Sequence, residues 1–197
     1  IPIAPYLCYM RQDTAFHPGE AISQIAIGRL LATLVDRIVT VDAHLHRTPD
    51  LGSVFPGIEA DNLSAMPAIA DALRETGYDR DTVLVGPDAE SRPWVSDLAK
   101  RLDLKFAVGE KARHGDRAVG ISFSDAKSIT GRPVLLIDDI VSSGGTLIAC
   151  AKALAEAGAK AIDAIATHAL FPANLIETFA AADIRSPSCA TPSTSTM

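Results

Sequence analysis

The amino-acid sequence predicts an α/β protein with mostly parallel sheets and flanking helices. Short apolar runs alternate with stretches of helical periodicity along most of the 197 residues, and this alternation is typical of a parallel sheet with helices on both faces. Residues 134–137 are apolar in succession, as expected for a strand that is buried on both sides. Hydrophobic residues make up 48% of the chain and aromatic residues only 5%, which fits a core of aliphatic side chains.

Composition and charge narrow the classes of function. The formal net charge of −6 disfavours general nucleic-acid binding, which requires a basic face, so we expect no nucleic-acid partner. The three cysteines, Cys8, Cys150 and Cys189, lack the spacing of a metal site or a disulfide framework. They favour a reducing, cytoplasmic compartment. No stretch is long and apolar enough to predict a membrane span or a membrane partner.

Residues 1–58 are expected to form part of a first domain. Residues 3–9 are typical of a strand, 11–19 of a polar loop, 20–36 of a helix with an apolar face, and 37–41 of a second strand. Residues 48–61 contain two prolines and two glycines and predict a loop between two domains. The sequence opens with Ile1 and Pro2, directly in an apolar run, so we expect this domain to be incomplete.

A second series of alternating elements predicts a domain over residues 59–182. We expect helices at 63–76, 91–102, 145–157 and 174–182, and strands at 83–85, 104–108, 119–123, 134–137 and 161–167. Ser91 is a candidate cap for the second of these helices. From residue 183 the sequence is rich in Ser, Thr and Pro, so residues 183–197 are predicted to be a tail without packed structure.

The strongest candidate site follows the strand at 134–137. Asp138 and Asp139 come directly after it, and ligands of open α/β sheets bind outside the carboxyl ends of strands. These carboxylates suit sugar hydroxyls or Mg²⁺. The next residues offer backbone N–H groups and hydroxyls to an anion at a helix start; they are Ser142, Ser143, Gly144, Gly145 and Thr146. The whole unit predicts a ribose 5-phosphate site, although turn formation and capping would explain a Gly-Gly-Thr sequence alone.

Arg11, Gln12 and Asp13 form a second candidate site, after the first predicted strand. A guanidinium, an amide and a carboxylate at a strand end can grip a purine and a triphosphate. Taken alone, the segment favours a solvated surface loop over a binding site.

Asp42 and His44 form a third candidate site, at the end of the strand at 37–41. A carboxylate and an imidazole there can contact Mg²⁺ or a polyphosphate. His44 and His46 alternate, so in an extended segment they share a face. That spacing also permits a transition-metal site, and an ordinary polar loop remains open.

Two further segments of the second domain carry candidate residues. Asp88 follows the strand at 83–85 and can hold a metal beside an anion pocket, or simply cap the next helix. Lys111 and Arg113 lie in a charged, glycine-flanked excursion between two strands. Cations on a mobile loop can stabilise a phosphoryl group in transfer, and a solvated loop is the alternative.

Taken in order, these segments resemble the ribose-phosphate pyrophosphokinases, also called phosphoribosyl pyrophosphate synthetases. The resemblance covers residues 6–171 and rests on five motifs. The motifs are Tyr9-x-Arg11-Gln12-Asp13, Asp42-x-His44, Pro87-Asp88, Lys111 with Arg113, and the run from Asp138 to Thr146. The family commonly has a glycine-rich loop after the Pro-Asp pair, where this chain has Ala-Glu-Ser-Arg-Pro at 89–93.

The resemblance implies two phosphoribosyltransferase-like domains, the first incomplete, and a role in nucleotide biosynthesis. The implied reaction transfers diphosphate from ATP to ribose 5-phosphate, giving phosphoribosyl pyrophosphate and AMP. Mg²⁺ is the implied cofactor, and the implied assembly is a cytoplasmic homo-oligomer. The implied residues are Arg11, Gln12, Asp13 and His44 for ATP, residues 138–139 and 142–146 for ribose 5-phosphate, His44 and Asp88 for the metal, and Lys111 and Arg113 for catalysis.

Two other functions remain open at this point. A phosphoribosyltransferase that consumes phosphoribosyl pyrophosphate explains the run from Asp138 to Thr146 but not the motifs of the first domain. A non-catalytic regulatory homologue of a synthetase is favoured by the altered residues after Asp88. The presence of both Lys111 and Arg113 disfavours it.

Overall fold

The predicted α/β class with mostly parallel sheets is confirmed, and the chain divides into two compact units. The structure, a computed structural model, describes residues 1–114 and 118–190. The side chains of residues 111–119 are not part of this description. Unit 1 spans Ile1–Ala65 and unit 2 spans Met66–Met197. The division falls later than residue 58 because residues 59–63 form a strand of unit 1. No helix in the described ranges has both the length and the hydrophobicity that crossing a membrane requires.

Unit 1 contains three strands and one helix. Its elements are β1 Ile3–Ala4, α1 Ser23–Ala32, β2 Arg37–Val41 and β3 Glu59–Leu63. The strands form a parallel sheet in the order β1-β2-β3. The first strand is shorter than the predicted 3–9, and Tyr9, at the far end of that stretch, has a left-handed φ of 65°, which no strand residue adopts. The predicted loop at 48–61 ends early because its last residues enter β3.

Helix α1 buries a different face from the one its apolar residues predict. Its buried residues are Gln24 and Gly28, whereas Ile22 and Leu30 are 37% and 56% exposed. A Cβ atom on Gly28 would lie 2.2 Å from the carbonyl oxygen of Val54. Glycine therefore allows a close approach of α1 to the segment after β2, and it directs Gln24, one turn earlier, into the same interior.

Unit 2 contains a five-stranded parallel sheet, a two-stranded antiparallel ribbon and four α-helices among its described residues. Its elements are α2 Met66–Thr76, β4 Val83–Gly86, α3 Arg92–Leu102, β5 Lys105–Val108, β6 Glu110–His114, β7 Ala118–Ser122, β8 Pro133–Val141, α4 Gly145–Glu156, β9 Ala161–Ala169, α5 Leu175–Ala181 and β10 Ile184–Cys189. The sheet order is β10-β9-β8-β4-β5. One cluster of its core combines buried residues of β4, β8, β9 and α4.

Two parts of unit 2 differ from the sequence analysis. The strand predicted at 119–123 forms as β7, but it pairs with β6 in a ribbon that is separate from the parallel sheet. The tail predicted from residue 183 is wrong for residues 184–189, which form β10 alongside β9. Ile184, at 1% exposure, fixes this strand in the core. Residues 191–197 lie outside the described residues.

Candidate functional site

Asp138 and Asp139 lie in the last part of β8, where this strand extends beyond its pairing with β4. The strand continues to Val141, so the predicted end at residue 137 is too early. On one side β4 pairs with β8 as far as Leu136, whereas on the other side β9 runs beside it as far as Ala169. The carboxylates therefore lie just beyond the end of β4, at the carboxyl edge that ligands of such sheets occupy.

The surroundings of Asp138 disfavour its negative charge. Burial raises the pKa of its carboxyl group well above the usual range, and the charge of Asp139 raises it further, with a smaller contribution from Asp88. The N–H of Asp139 donates to Asp138 Oδ1 at 3.0 Å, and the N–H of Ile140 donates to Asp139 Oδ1 at 2.8 Å. A carboxylate cluster of this kind favours a cation or hydroxyl donors as ligands.

The segment after β8 presents exposed polar residues on a buried support. Ser143, Gly145 and Thr146 are exposed, whereas Gly144 is buried. Gly144 precedes the first residue of α4 and has a φ of 73°, a left-handed conformation that favours glycine. A Cβ atom there would lie 2.6 Å from Cε1 of Phe179. Helix α5 therefore supports this loop from behind.

The start of α4 lies where the sequence predicts an anion site. The helix begins at Gly145, and its first regular hydrogen bond runs from the N–H of Ile148 to the carbonyl oxygen of Gly144 at 2.9 Å. The N–H groups of the first turn have no acceptor within a helix, and the helix dipole adds positive potential there. Residues 142–146 thus come together at one end of a 12-residue helix, in an arrangement suited to a phosphate.

Asp88 follows β4 and caps the turn at Ala89–Ser91. Its Oδ1 accepts hydrogen bonds from the N–H groups of Glu90 and Ser91 at 3.0 and 3.2 Å. The predicted capping of α3 by the Ser91 side chain is wrong, because that hydroxyl donates to the Asp88 carbonyl oxygen instead. A cavity of about 250 Å³ beside the turn is lined by Asp88, Ala89, Glu90, Gly109 and Glu110. The ionisable residues that line this cavity are acidic. The cavity therefore disfavours binding of an anion unless a cation binds with it.

Lys111 and Arg113 lie in β6, in the ribbon that follows β5. In the antiparallel register Lys111 is opposite Ile121 and Arg113 is opposite Val119. The charged excursion predicted at this position therefore includes strand β6, and both residues belong to that strand. Their side chains lie outside the part of the chain that the structure describes.

In unit 1, the segment after β1 is anchored at Met10 and Asp13. Met10 is 1% exposed, whereas its neighbour Arg11 is exposed. The side chain of Gln12 accepts a hydrogen bond from the Ser23 hydroxyl. The side chain of Asp13 is 1% exposed and pairs with Arg47 Nη1 at 2.9 Å. Asp13 therefore has a structural partner, and its contact with ATP stays a prediction.

The segment after β2 is held by polar contacts with β3 and its surroundings. Asp42 has a φ of 40°, its N–H donates to the Leu63 carbonyl oxygen at 2.8 Å, and its Oδ2 accepts from the N–H of Ala65 at 3.1 Å. The rings of His44 and His46 lie 3.6 Å apart between centroids, so the two imidazoles share a face as the alternation predicts. A strained strand-end residue that precedes a candidate ligand is common at functional sites.

Sequence reasoning missed three residues that support these segments. Arg47 pairs with Asp13 across 34 positions, Phe179 packs under Gly144 across 35, and Gln24 bonds to segments on either side of α1. The first two follow from tertiary packing alone. The third had a signal in the sequence, since Gln24 is a long polar side chain directly before the apolar residues 25–27 of α1.

The fold and the β8–α4 segment define a class of protein. The chain belongs to the phosphoribosyl transferase domain family, which matches residues 60–177.

Within that class, the chain is similar to ribose-phosphate pyrophosphokinases. It is 34% identical over 174 residues to the ribose-phosphate pyrophosphokinase of Methanopyrus kandleri, with 88% of this chain and 58% of the relative covered. It is 35% identical over 175 residues to that of Pyrococcus abyssi, with 89% and 59% covered. The chain thus spans less than two thirds of the length of these relatives.

A solved structure with the same fold leads to the same family. The crystal structure of phosphoribosylpyrophosphate synthetase from Mycobacterium smegmatis has a TM-score of 0.81 and 28% identity, covering 96% of this chain and 61% of that one. The predicted resemblance to this family is confirmed.

Proposed function

We propose that the protein is a ribose-phosphate diphosphokinase that transfers the β,γ-diphosphoryl group of ATP to the C1 hydroxyl of ribose 5-phosphate. The products are phosphoribosyl pyrophosphate and AMP, and the reaction belongs to nucleotide biosynthesis. One observation carries the proposal. Similarity to the pyrophosphokinases extends over 88% of the chain, well beyond the residues 60–177 that match the phosphoribosyl transferase domain.

The β8–α4 segment supports binding of ribose 5-phosphate. The backbone N–H groups at the start of α4, with Ser142, Ser143 and Thr146, hold the 5-phosphate. Asp138 and Asp139 accept hydrogen bonds from the ribose hydroxyls. Such donors stabilise the carboxylates, whose negative charge is disfavoured by burial and by their mutual repulsion.

Unit 1 supports binding of ATP. Arg11 is exposed, and its guanidinium suits phosphate oxygens or a purine face. In the proposal Gln12, Asp13 and His44 complete the ATP site.

Mg²⁺ accompanies ATP in the proposal. The carboxylate oxygens of Asp88, Asp138 and Asp139 are the hard donors that this ion prefers. A cation near them relieves the repulsion that raises the pKa of Asp138. We assign Asp88 and His44 as ligands, and Mg²⁺ supplies neutralisation of phosphate charge when bound.

The transfer itself needs positioning and charge stabilisation rather than a covalent nucleophile. The C1 oxygen of ribose 5-phosphate attacks the β-phosphorus and loses its proton to solvent. The bond between that phosphorus and the oxygen bridging to the α-phosphorus breaks, and AMP leaves with that oxygen. In the proposal, Lys111 and Arg113 stabilise the negative charge on the diphosphoryl group during transfer.

The proposal extends to the assembly and its compartment. We propose a cytoplasmic homo-oligomer. The free state of Cys8, Cys150 and Cys189 supports a reducing compartment. The homo-oligomer is what the resemblance to the pyrophosphokinases implies.

³¹P NMR of the full-length protein with ATP, Mg²⁺ and ribose 5-phosphate tests the function. The proposal predicts resonances of AMP and of a diphosphate attached to C1 of ribose. Binding of ribose 5-phosphate without turnover would instead favour a regulatory homologue. Consumption of added phosphoribosyl pyrophosphate with a nucleobase, and no product from ATP, would favour a phosphoribosyltransferase.

A further inference from the structure

A buried glutamine joins the two segments of unit 1 to which ATP binding is assigned. Gln24 is 0% exposed and lies in the first turn of α1, whose other buried residue is Gly28. A primary amide in such a place is stable only if its donors and its acceptor are satisfied. The partners of this side chain therefore indicate what the residue does.

The amide of Gln24 bonds to both segments. Its Nε2 donates to the carbonyl oxygen of Met10 at 3.0 Å and to that of His44 at 3.3 Å. Its Oε1 accepts from the Thr48 hydroxyl at 2.6 Å. Its own backbone N–H donates to the carbonyl oxygen of Gln12 at 3.2 Å. One residue thus fixes the backbone on either side of Arg11 and the backbone of His44.

The acceptors of Gln24 are main-chain atoms next to the residues assigned to ATP. Main-chain bonds at Met10 and Gln12 set the direction of the intervening Arg11, and the bond at His44 sets the start of the imidazole side chain. The Arg47–Asp13 ion pair also joins the two segments, but it joins them through side chains, whereas the Gln24 amide bonds to the main chain of both. An apolar residue in this place would fill the space but leave these carbonyl groups without the amide donors.

We propose that Gln24 is a positioning residue for ATP, which holds Arg11 and His44 in one geometry without contacting the nucleotide. The inference rests on the proposed function for its ligand, but the ordering of the two segments is independent of it. Loss of the amide releases both segments together. A small misplacement of binding groups strongly lowers the affinity for a ligand. We therefore expect a lower affinity for ATP and an unchanged affinity for ribose 5-phosphate.

The test replaces Gln24 by methionine, which has nearly the same volume and no amide. For Gln24→Met we expect KM for ATP to rise by about tenfold or more, with KM for ribose 5-phosphate within about twofold of the parent. Hydrogen exchange of the backbone should accelerate in residues 9–13 and 43–48 and stay unchanged in unit 2. Thr48→Val removes one of the three side-chain bonds and should shift the same quantities less, while Thr48→Ser, which keeps a hydroxyl, should restore them.

Arg29→Gln, on the exposed side of α1, is the matched control and should change neither KM. Equal increases in both KM values for Gln24→Met would overturn the proposal, and so would unchanged exchange in the two segments. If Gln24→Met fails to fold, the KM values and the hydrogen exchange of Thr48→Val and Thr48→Ser test the proposal by the same criteria. If the parent protein shows no turnover, the proposed function fails, and hydrogen exchange alone still decides whether Gln24 orders the two segments.

Discussion

Replacing Gly144 by alanine tests whether helix α5 supports the loop between β8 and α4. Two separate costs are expected from this change. Gly144 has a φ of 73°, and a Cβ atom there would lie 2.6 Å from Cε1 of Phe179 and 2.8 Å from Cδ2 of Leu175. The left-handed conformation costs a non-glycine residue about 1–2 kcal/mol. Forcing a methyl group into a packed interior costs about 1–3 kcal/mol more.

The sum predicts that Gly144→Ala lowers the free energy of unfolding by about 2–5 kcal/mol. Gly131 provides a matched control, because its φ is 74° and a Cβ atom there would meet nothing within 4 Å. Gly131→Ala therefore carries the conformational cost alone. The difference between the two variants, about 1–3 kcal/mol, measures the contact with α5.

Urea unfolding of both variants measures this difference, provided that the slope with denaturant is unchanged. Steady-state kinetics should show a higher KM for ribose 5-phosphate in Gly144→Ala only, since a shifted loop misplaces its N–H groups. Equal destabilisation by the two substitutions would refute the reasoning, because α5 would then contribute nothing to the loop.

Three further predictions concern charged residues. Asp138→Asn should raise the melting temperature near neutral pH. Burial and the charge of Asp139 raise the pKa of Asp138 in the folded protein. Ionisation of Asp138 therefore lowers the stability of the fold as the pH rises above the pKa of this group in the unfolded chain, which is about 4. The gain should disappear below that pH, and equal melting temperatures at pH 8 would contradict it. Lys111→Ala should lower kcat by about 10²-fold with ATP binding retained, and near-normal turnover would remove Lys111 from the mechanism. Arg47→Ala should lower the free energy of unfolding by about 1–3 kcal/mol, because it leaves the Asp13 carboxylate, which is 1% exposed, without its ion pair. Asp13→Asn in the same chain should recover part of this loss, as measured by thermal unfolding.

The β8–α4 segment was readable from the sequence because its parts are consecutive. A buried strand, two carboxylates, a small-residue turn and a helix start all lie within residues 134–146. Each part is a local pattern, and the order of the chain alone brings them together. Even so, the support of the loop by Phe179 comes from a helix 35 positions later and leaves no mark in the local sequence.

The elements that the sequence failed to predict depend on pairing partners. Strand β10 has the sequence Ile-Arg-Ser-Pro-Ser-Cys, which lacks the apolar alternation of a strand. It forms because β9 provides hydrogen bonds and Ile184 reaches the core. Likewise, the apolar pattern of α1 indicated the wrong face, because Gly28 allows a close approach that the pattern does not encode.

The ATP-binding assignments of unit 1 were only partly readable. The exposed position of Arg11 fits its predicted role, but nothing in the motif indicates that Asp13 is buried against Arg47. Residues that hold a segment from a distant element are invisible to motif reasoning, since nothing in the spacing of a motif names its support.

Isotope transfer tests the central claim of diphosphoryl transfer to the C1 oxygen. The full-length protein is supplied with ATP, Mg²⁺ and fresh ribose 5-phosphate that carries ¹⁸O in the C1 hydroxyl. The account predicts that ¹⁸O is retained in the bridge between C1 and the attached phosphorus, visible as an isotope shift of that ³¹P resonance, with one AMP formed for each product molecule. Product without ¹⁸O in the bridge, or formation of ADP in place of AMP, would contradict it.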